Sequence, residues 1–180
     1  MKEIKHPETE ERARKIRLLM LDVDGVLTDG IISISSGGGE IKSFHVRDGY
    51  GIRCLMKSGI QVAFISGRKS GVVEHRAREL GIEMVFQGVR DKATVCREIA
   101  ARTALRKSEI ACIGDDLPDL PMFASSGVRV AVADAAGEVL EMADAVTDKR
   151  GGHGAVREVC EWILKLQGKW PWAIGQSTGK

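Results

Sequence analysis

The chain has 180 residues, 43% hydrophobic and 29% charged, with a net charge of +2, which suits one globular domain with its own core. Aromatics make up only 4%, too few for a platform that stacks single-stranded nucleic acid, and the charge is too small for a polyanion footprint. No apolar run approaches the ~18 residues of a membrane span, so neither nucleic acid nor membrane is an expected partner.

Residues 1–16 read as a polar leader, with Arg12, Arg14, Lys15 and Arg17 clustered at its end as a solvated face. The segment is too polar for a signal peptide, which makes the cytoplasm the expected compartment. The domain proper is expected over 17–167. Its first strand, 17–23, is an apolar run that stops at Asp22-Val23-Asp24-Gly25. Such a run reads as a strand buried on both faces. Two acids at its end are costly to desolvate unless something pairs them, although an Asp-Gly turn with a spare acid is the plain alternative.

Next come 31–34 and 40–46, separated by Ser35-Ser36-Gly37-Gly38-Gly39, which predicts an antiparallel hairpin protruding as a flap over about 30–46. Its Ile31, Ile32 and Ile34 suit an interface. Asp48 reads as the N-cap of a helix ending near Lys57. A strand at 60–65 ends in Ser66-Gly67-Arg68, and Ser70 caps a helix stopped by Gly81. A short strand at 83–86 follows. Asp91 opens a regular helix, and a strand at 110–113 ends in Gly114-Asp115-Asp116. A short helix at 117–124, a strand at 128–131, a helix at 135–142, a strand at 145–146 and a last helix burying Val156, Val159 and Ile163 complete the domain. The tail from 168 to 180 reads as loose. Cys54, Cys96, Cys112 and Cys160 lack ligand spacing and sit at apolar positions, as packed thiols do. His45 and His75 likewise show no ligand spacing and read as structural or solvated, and His6 lies in the leader.

Strands alternating with helices predict an α/β fold: a Rossmann-like, doubly wound, mostly parallel sheet with a protruding β-hairpin. About 40 residues separate Asp24 from Ser66, too few for a separate cap domain. In a parallel sheet the carboxyl ends share one edge, where ligands bind. That edge gathers Asp22 and Asp24, Ser66, Lys92, and Asp115 with Asp116. So many carboxylates call for a hard cation, Mg²⁺. Asp22 is placed to attack phosphorus and Asp24 to act as acid and base. The cation would join Asp22 to Asp115 and a phosphate oxygen, with Lys92 and Ser66 holding phosphoryl oxygens.

The ordered set DxDGV, SG, Lys and GDDxxD resembles the haloacid dehalogenase superfamily of Mg²⁺-dependent phosphotransferases. Over about 16–176, the segments FHVRDGYGIR, ISGRKS, GDDLPDLP and GGHGAVREVCEWIL are similar to the 3-deoxy-D-manno-octulosonate 8-phosphate (KDO 8-phosphate) phosphatase family. The resemblance implies a homotetramer that hydrolyses a sugar-acid phosphate in lipopolysaccharide precursor synthesis, with the hairpins at its centre. It implies Asp22 as nucleophile and metal ligand, Asp24 as acid/base and backbone metal ligand, and Asp115 as the second carboxylate ligand. Asp116 would stand behind these ligands or reach the metal through water. Gly67 joins Ser66 and Lys92 at the phosphate, and Arg68 and Arg76 become candidates for the sugar carboxylate. An exposed helix arginine is the plain alternative for Arg76. The family often reads Gly-Gly-Arg-Gly where this chain has Gly151-Gly152-His153-Gly154, so His153 stands at a substrate-contact candidate with a weaker, pH-dependent charge. Two other readings remain open: a phosphatase for a nine-carbon relative (a KDN or sialic acid 9-phosphate), and a non-catalytic assembly domain of the same fold.

Overall fold

A computed structural model describes residues 1–170. Its organising element is β2 (Leu18–Leu21), every residue of which is buried. Parallel neighbours flank it: β5 (Gln61–Ser66) on one side and β7 (Ile110–Gly114) on the other. Beyond β5 lies β6 (Met84–Gln87), and beyond β7 lie β8 (Val128–Ala131) and β9 (Ala145–Val146), all parallel. The chain thus builds outward from β2 in one direction and then returns to build in the other. The reversal falls between β2 and β7, the topological switch point where α/β sheets bind ligands. Helices α2 (Val46–Lys57), α3 (Gly71–Leu80), α4 (Lys92–Thr103), α5 (Leu120–Ala124), α6 (Gly137–Met142) and α7 (Ala155–Leu166) cover the sheet. Between 22 and 60 the chain holds only a hairpin, β3 (Ser33–Ile34) and β4 (Glu40–Ile41), and α2.

The leader is docked on the domain, although Arg14, Lys15 and Arg17 are exposed as expected. β1 (Glu3–Ile4) pairs antiparallel with β9 and adds a seventh strand, and α1 (Glu8–Ala13) packs Thr9 and Ala13 inward. Arg12 donates to the Gly127 carbonyl at 2.6 Å and to Asp144 at 2.9 Å. Asp144 is fully buried. Burial alone would raise its pKa, but hydrogen bonds from Arg129 and Arg12 bring it down to about 2. A buried carboxylate needs such partners, and this one recruits an arginine from the leader. Of the tail expected to be loose over 168–180, Lys169 donates to the Ser58 carbonyl and Trp170 packs against the core, while 171–180 lie outside the described residues.

Asp48 does not cap its own helix. His45 does, accepting from the Arg47 amide, and α2 begins at Val46. The buried Asp48 carboxylate instead accepts the Arg157 amide of α7 at 2.7 Å. Helix α7 starts after Gly154, which has no side chain to supply a cap, so its third amide is satisfied from a neighbouring helix. Loss of that acceptor in Asp48→Ala is expected to cost about 1–2 kcal/mol in urea unfolding, within the range for helix caps. Asp48→Asn, which keeps the acceptor, is expected to lose less than half of that. Equal losses in the two variants would contradict the capping role.

Candidate active site

Four adjacent strand ends deliver the site. Asp22 follows β2, and its amide donates to the Ile113 carbonyl at 3.2 Å, which extends the ladder past the strand. Ser66 ends β5, Lys92 opens α4 after β6, and Asp115 follows β7. The register places Leu21 opposite both Phe64 and Ile113, so the first residues beyond each strand converge. Lys92 is buried, with Nζ 2.5 Å from Asp22 Oδ1 and 2.6 Å from Asp119 Oδ1. Carboxylate oxygens of Asp22, Asp115 and Asp119 lie within 4.8 Å of one another.

Asp119 was overlooked among the candidates. Its Oδ2 accepts the amide of Asp115 at 2.9 Å and that of Asp116 at 3.4 Å, while its Oδ1 faces Lys92. It therefore shapes the loop that presents Asp115. The last acid of GDDxxD was the available signal. Asp116 is exposed at the rim and accepts the Leu117 amide at 2.8 Å. Asp115 makes no ion pair or side-chain hydrogen bond among the described residues. It lies against Gly25, whose φ is +102° and where a Cβ would stand 2.0 Å from Asp115 Oδ2. Only glycine combines that backbone with that approach.

The electrostatics fit a cation. Burial raises the pKa of Asp22 well above its usual range; Asp119 adds to this and Lys92 opposes it. Burial, then Asp119 and Asp116, lift Asp115 to about 7. Burial works against the charge of Lys92, but Asp22 and Asp119 outweigh it and raise its pKa. One lysine among three clustered acids leaves negative charge that a divalent ion with oxygen ligands would balance.

These groups line a crevice of about 330 Å³, together with Asp24, Gly67, Arg68 and Arg90. The Ser66 hydroxyl lies buried beneath the 66–68 loop and accepts the Arg68 amide at 3.1 Å. Asp24 is half-buried at the mouth and pairs with Lys42 of the hairpin. Two candidates stand elsewhere. Arg76 is neither exposed nor in the crevice: it stacks 5.8 Å from the Phe44 ring centroid and pairs with Glu79 at 2.7 Å. His153 faces a separate cavity beside Arg47 and Arg157. Its glycine segment instead braces the loop that follows Asp22. Gly152 donates to the Val26 carbonyl at 2.9 Å, and a Cβ on Gly151 would meet the Gly25 oxygen at 1.6 Å.

Comparison with known proteins places this geometry among relatives. A family model described as haloacid dehalogenase-like hydrolase matches residues 82–159. The 3-deoxy-D-manno-octulosonate 8-phosphate phosphatase KdsC of Salmonella typhimurium is 48% identical over 171 residues, spanning 95% of this chain and 91% of that protein. The crystal structure of the corresponding phosphatase from Yersinia pestis superposes with a TM-score of 0.90 at 48% identity, covering 92% of this chain and 89% of that one. The Moraxella catarrhalis phosphatase, solved with a magnesium ion, a phosphate ion and a KDO molecule, gives 0.92 at 42% identity over 96% and 99% of the two chains.

A divalent ion must displace any proton held by the raised carboxylates. The affinity of the metal-free chain for Mg²⁺ is therefore expected to rise with pH up to about 7, where Asp115 becomes ionised, and to level off above. The slope should not exceed about tenfold per pH unit for each proton released. Isothermal titration calorimetry from pH 6 to 8 measures this, and a flat profile would contradict the shared site.

Proposed function

The chain belongs to the 3-deoxy-D-manno-octulosonate 8-phosphate phosphatase family of haloacid dehalogenase-like hydrolases, and from that membership we propose that it hydrolyses KDO 8-phosphate to KDO and phosphate. The observation that carries the reading is the Asp22–Lys92–Asp115 cluster, with Asp24 two residues beyond Asp22 at the same crevice. Asp22 and Asp115 would hold Mg²⁺ by their carboxylates and Asp24 by its backbone carbonyl. When bound, the ion neutralises charge on the phosphate and on the acids around it.

The chain's own groups supply the chemistry. A carboxylate oxygen of Asp22 attacks phosphorus, forming a P–O bond as the sugar's P–O bond breaks. Asp24 gives its proton to the departing sugar oxygen, then takes one from the water that attacks the aspartyl-phosphate. That second attack releases phosphate and restores the Asp22 carboxylate. Lys92, buried against Asp22, keeps a fixed positive charge beside the phosphoryl oxygens. Gly67 and Ser66 shape the loop around them, and Asp116 works from the rim. Arg68, at the outer wall, would grip the sugar carboxylate. Arg76 and His153, away from their own chain's crevice, would reach a substrate only across a subunit boundary.

The same proposal includes a homotetramer working in the cytoplasm. No helix of the described residues is long and apolar enough to cross a membrane. Ile31, Ile32, Ile34 and Ile41 are each exposed on or beside the hairpin, a costly concentration of apolar side chains in water unless other surfaces cover them.

The purified chain with Mg²⁺ is expected to release phosphate from KDO 8-phosphate, assayed beside nine-carbon sugar-acid phosphates. Asp22→Asn should lose at least about 10³-fold in kcat, and Asp24→Asn about 10²–10⁴-fold, the usual worth of a general acid–base. Preference for a nine-carbon substrate, or turnover by Asp22→Asn, would defeat the assignment. Ile34→Asp with Ile41→Asp is expected to lower the particle mass in light scattering to that of a smaller assembly. An unchanged mass would remove the hairpin from the interface.

A further inference from the structure

Glu40 and Lys42 are two apart on an extended segment and so point to the same side, while Ile41 between them points away. Their side reaches the crevice. Lys42 has a side chain only 1% exposed and pairs with Asp24. Glu40 Oε2 accepts the Ser70 hydroxyl at 2.5 Å, and Glu40 Oε1 lies 3.2 Å from Arg68 Nη2 and 3.4 Å from Lys42 Nζ. Ser70 is fixed in turn: its amide donates to Gln87 of β6 at 2.8 Å, and its hydroxyl caps α3. One hairpin carboxylate thus ties together the flap, the α3 cap and the arginine at the crevice wall.

We infer that Glu40 is a positioning residue for substrate recognition, acting through Arg68 by holding its guanidinium over the crevice. Arg68 is 44% exposed on a long side chain, and Glu40 is its ion-pair partner. A free arginine loses rotamer entropy each time it grips a ligand. One already held by a fixed anion spends less of its binding on ordering. The pair uses only one edge of the guanidinium fork, and a planar fork of five donors keeps others for a substrate carboxylate. Glu40 is suited to this because it is charged. The Ser70 hydroxyl, aided by Lys42 and Arg68, holds its carboxyl below the usual range.

The inference rests on Arg68 meeting the sugar acid, so the test separates the two. Glu40→Gln keeps shape and the Ser70 hydrogen bond but discards the charge. Wild type, Glu40→Gln, Arg68→Ala and the double variant are compared on KDO 8-phosphate and on p-nitrophenyl phosphate, which has no carboxylate. Glu40→Gln is expected to raise KM for the sugar acid about five- to tenfold with kcat within about twofold. The change for p-nitrophenyl phosphate should be several-fold smaller, and Glu40→Gln should add nothing in the Arg68→Ala background. Equal losses on both substrates, an additive loss in the double variant, or an unchanged KM overturn the role.

A readout without substrate completes the test. Relaxation of the Arg68 Nε–Hε signal should report a restricted side chain in wild type and a mobile one in Glu40→Gln. Equal restriction in both overturns the inference whatever the substrate. A wild type that cleaves p-nitrophenyl phosphate but not KDO 8-phosphate defeats the assigned substrate instead, and the Arg68 signal still decides the role of Glu40.

Discussion

Everything at the catalytic edge depends on one unfavourable arrangement: three carboxylates held within 4.8 Å of each other, two of them buried, against a single lysine. Left alone they would take up protons, and the raised pKa values of Asp22 and Asp115 are that tendency expressed. The sheet enforces the arrangement, because β2 and β7 are hydrogen-bonded in register and end together. The core residues Leu18–Leu21 and Ile110–Ile113, all buried, fix that register. Hydrophobic burial in the sheet thereby offsets the electrostatic cost at its edge, and a cation with a phosphate ester recovers it.

The surrounding loops keep the arrangement from relaxing. Asp119 holds the amides of 115 and 116 on one oxygen and Lys92 on the other, so the Asp115 loop and α4 cannot move apart independently. On the opposite flank the 151–152 segment presses backbone to backbone on Gly25 and Val26. Asp134 secures that segment through the Gly151 amide at 2.9 Å, and α7 behind it is capped by Asp48 from α2. The loop after Asp22 is thus braced from residues more than a hundred positions away. A motif that resembles a substrate contact in sequence serves, within its own chain, as a buttress.

What the sequence disclosed and what it concealed divide along a physical line. Alternating apolar strands and capped helices expose the parallel sheet, since each signal is local: Ser70 and Asp91 cap the helices they precede. The convergence of Asp22, Lys92 and Asp115 then follows from topology alone. Contacts made between elements were hidden. Asp48 resembles any N-cap, yet its carboxylate serves a helix 109 positions away. Arg12 resembles the exposed basic residues around it because Asp144, which draws it in, carries no local mark of its need. The hairpin strands are two residues each rather than four and seven, with 31–32 and 42–45 outside the ladder and Val46 already in α2. Asp119 was concealed for a similar reason: its partners, the amides of 115 and 116 and the ammonium of Lys92, meet it only in the fold.

The hairpin shows how little secondary structure is needed to shape a site. Its strands pair only with each other and form no ladder with the main sheet. Two strands of that length are marginal in water and cannot hold a fixed pose through backbone bonds. What orients them is charge: Lys42 on Asp24, and Glu40 on Ser70 and Arg68. Those contacts lie at the mouth of the crevice, so the pose of the flap and the aim of the Asp24 and Arg68 side chains are linked. Ile34 lies opposite Glu40 in the hairpin, on the face that carries these charged contacts, and Ile41 lies on the other. With no cap between 22 and 60, the mouth of the crevice is bordered by a short ribbon that ion pairs, rather than the core, hold in place.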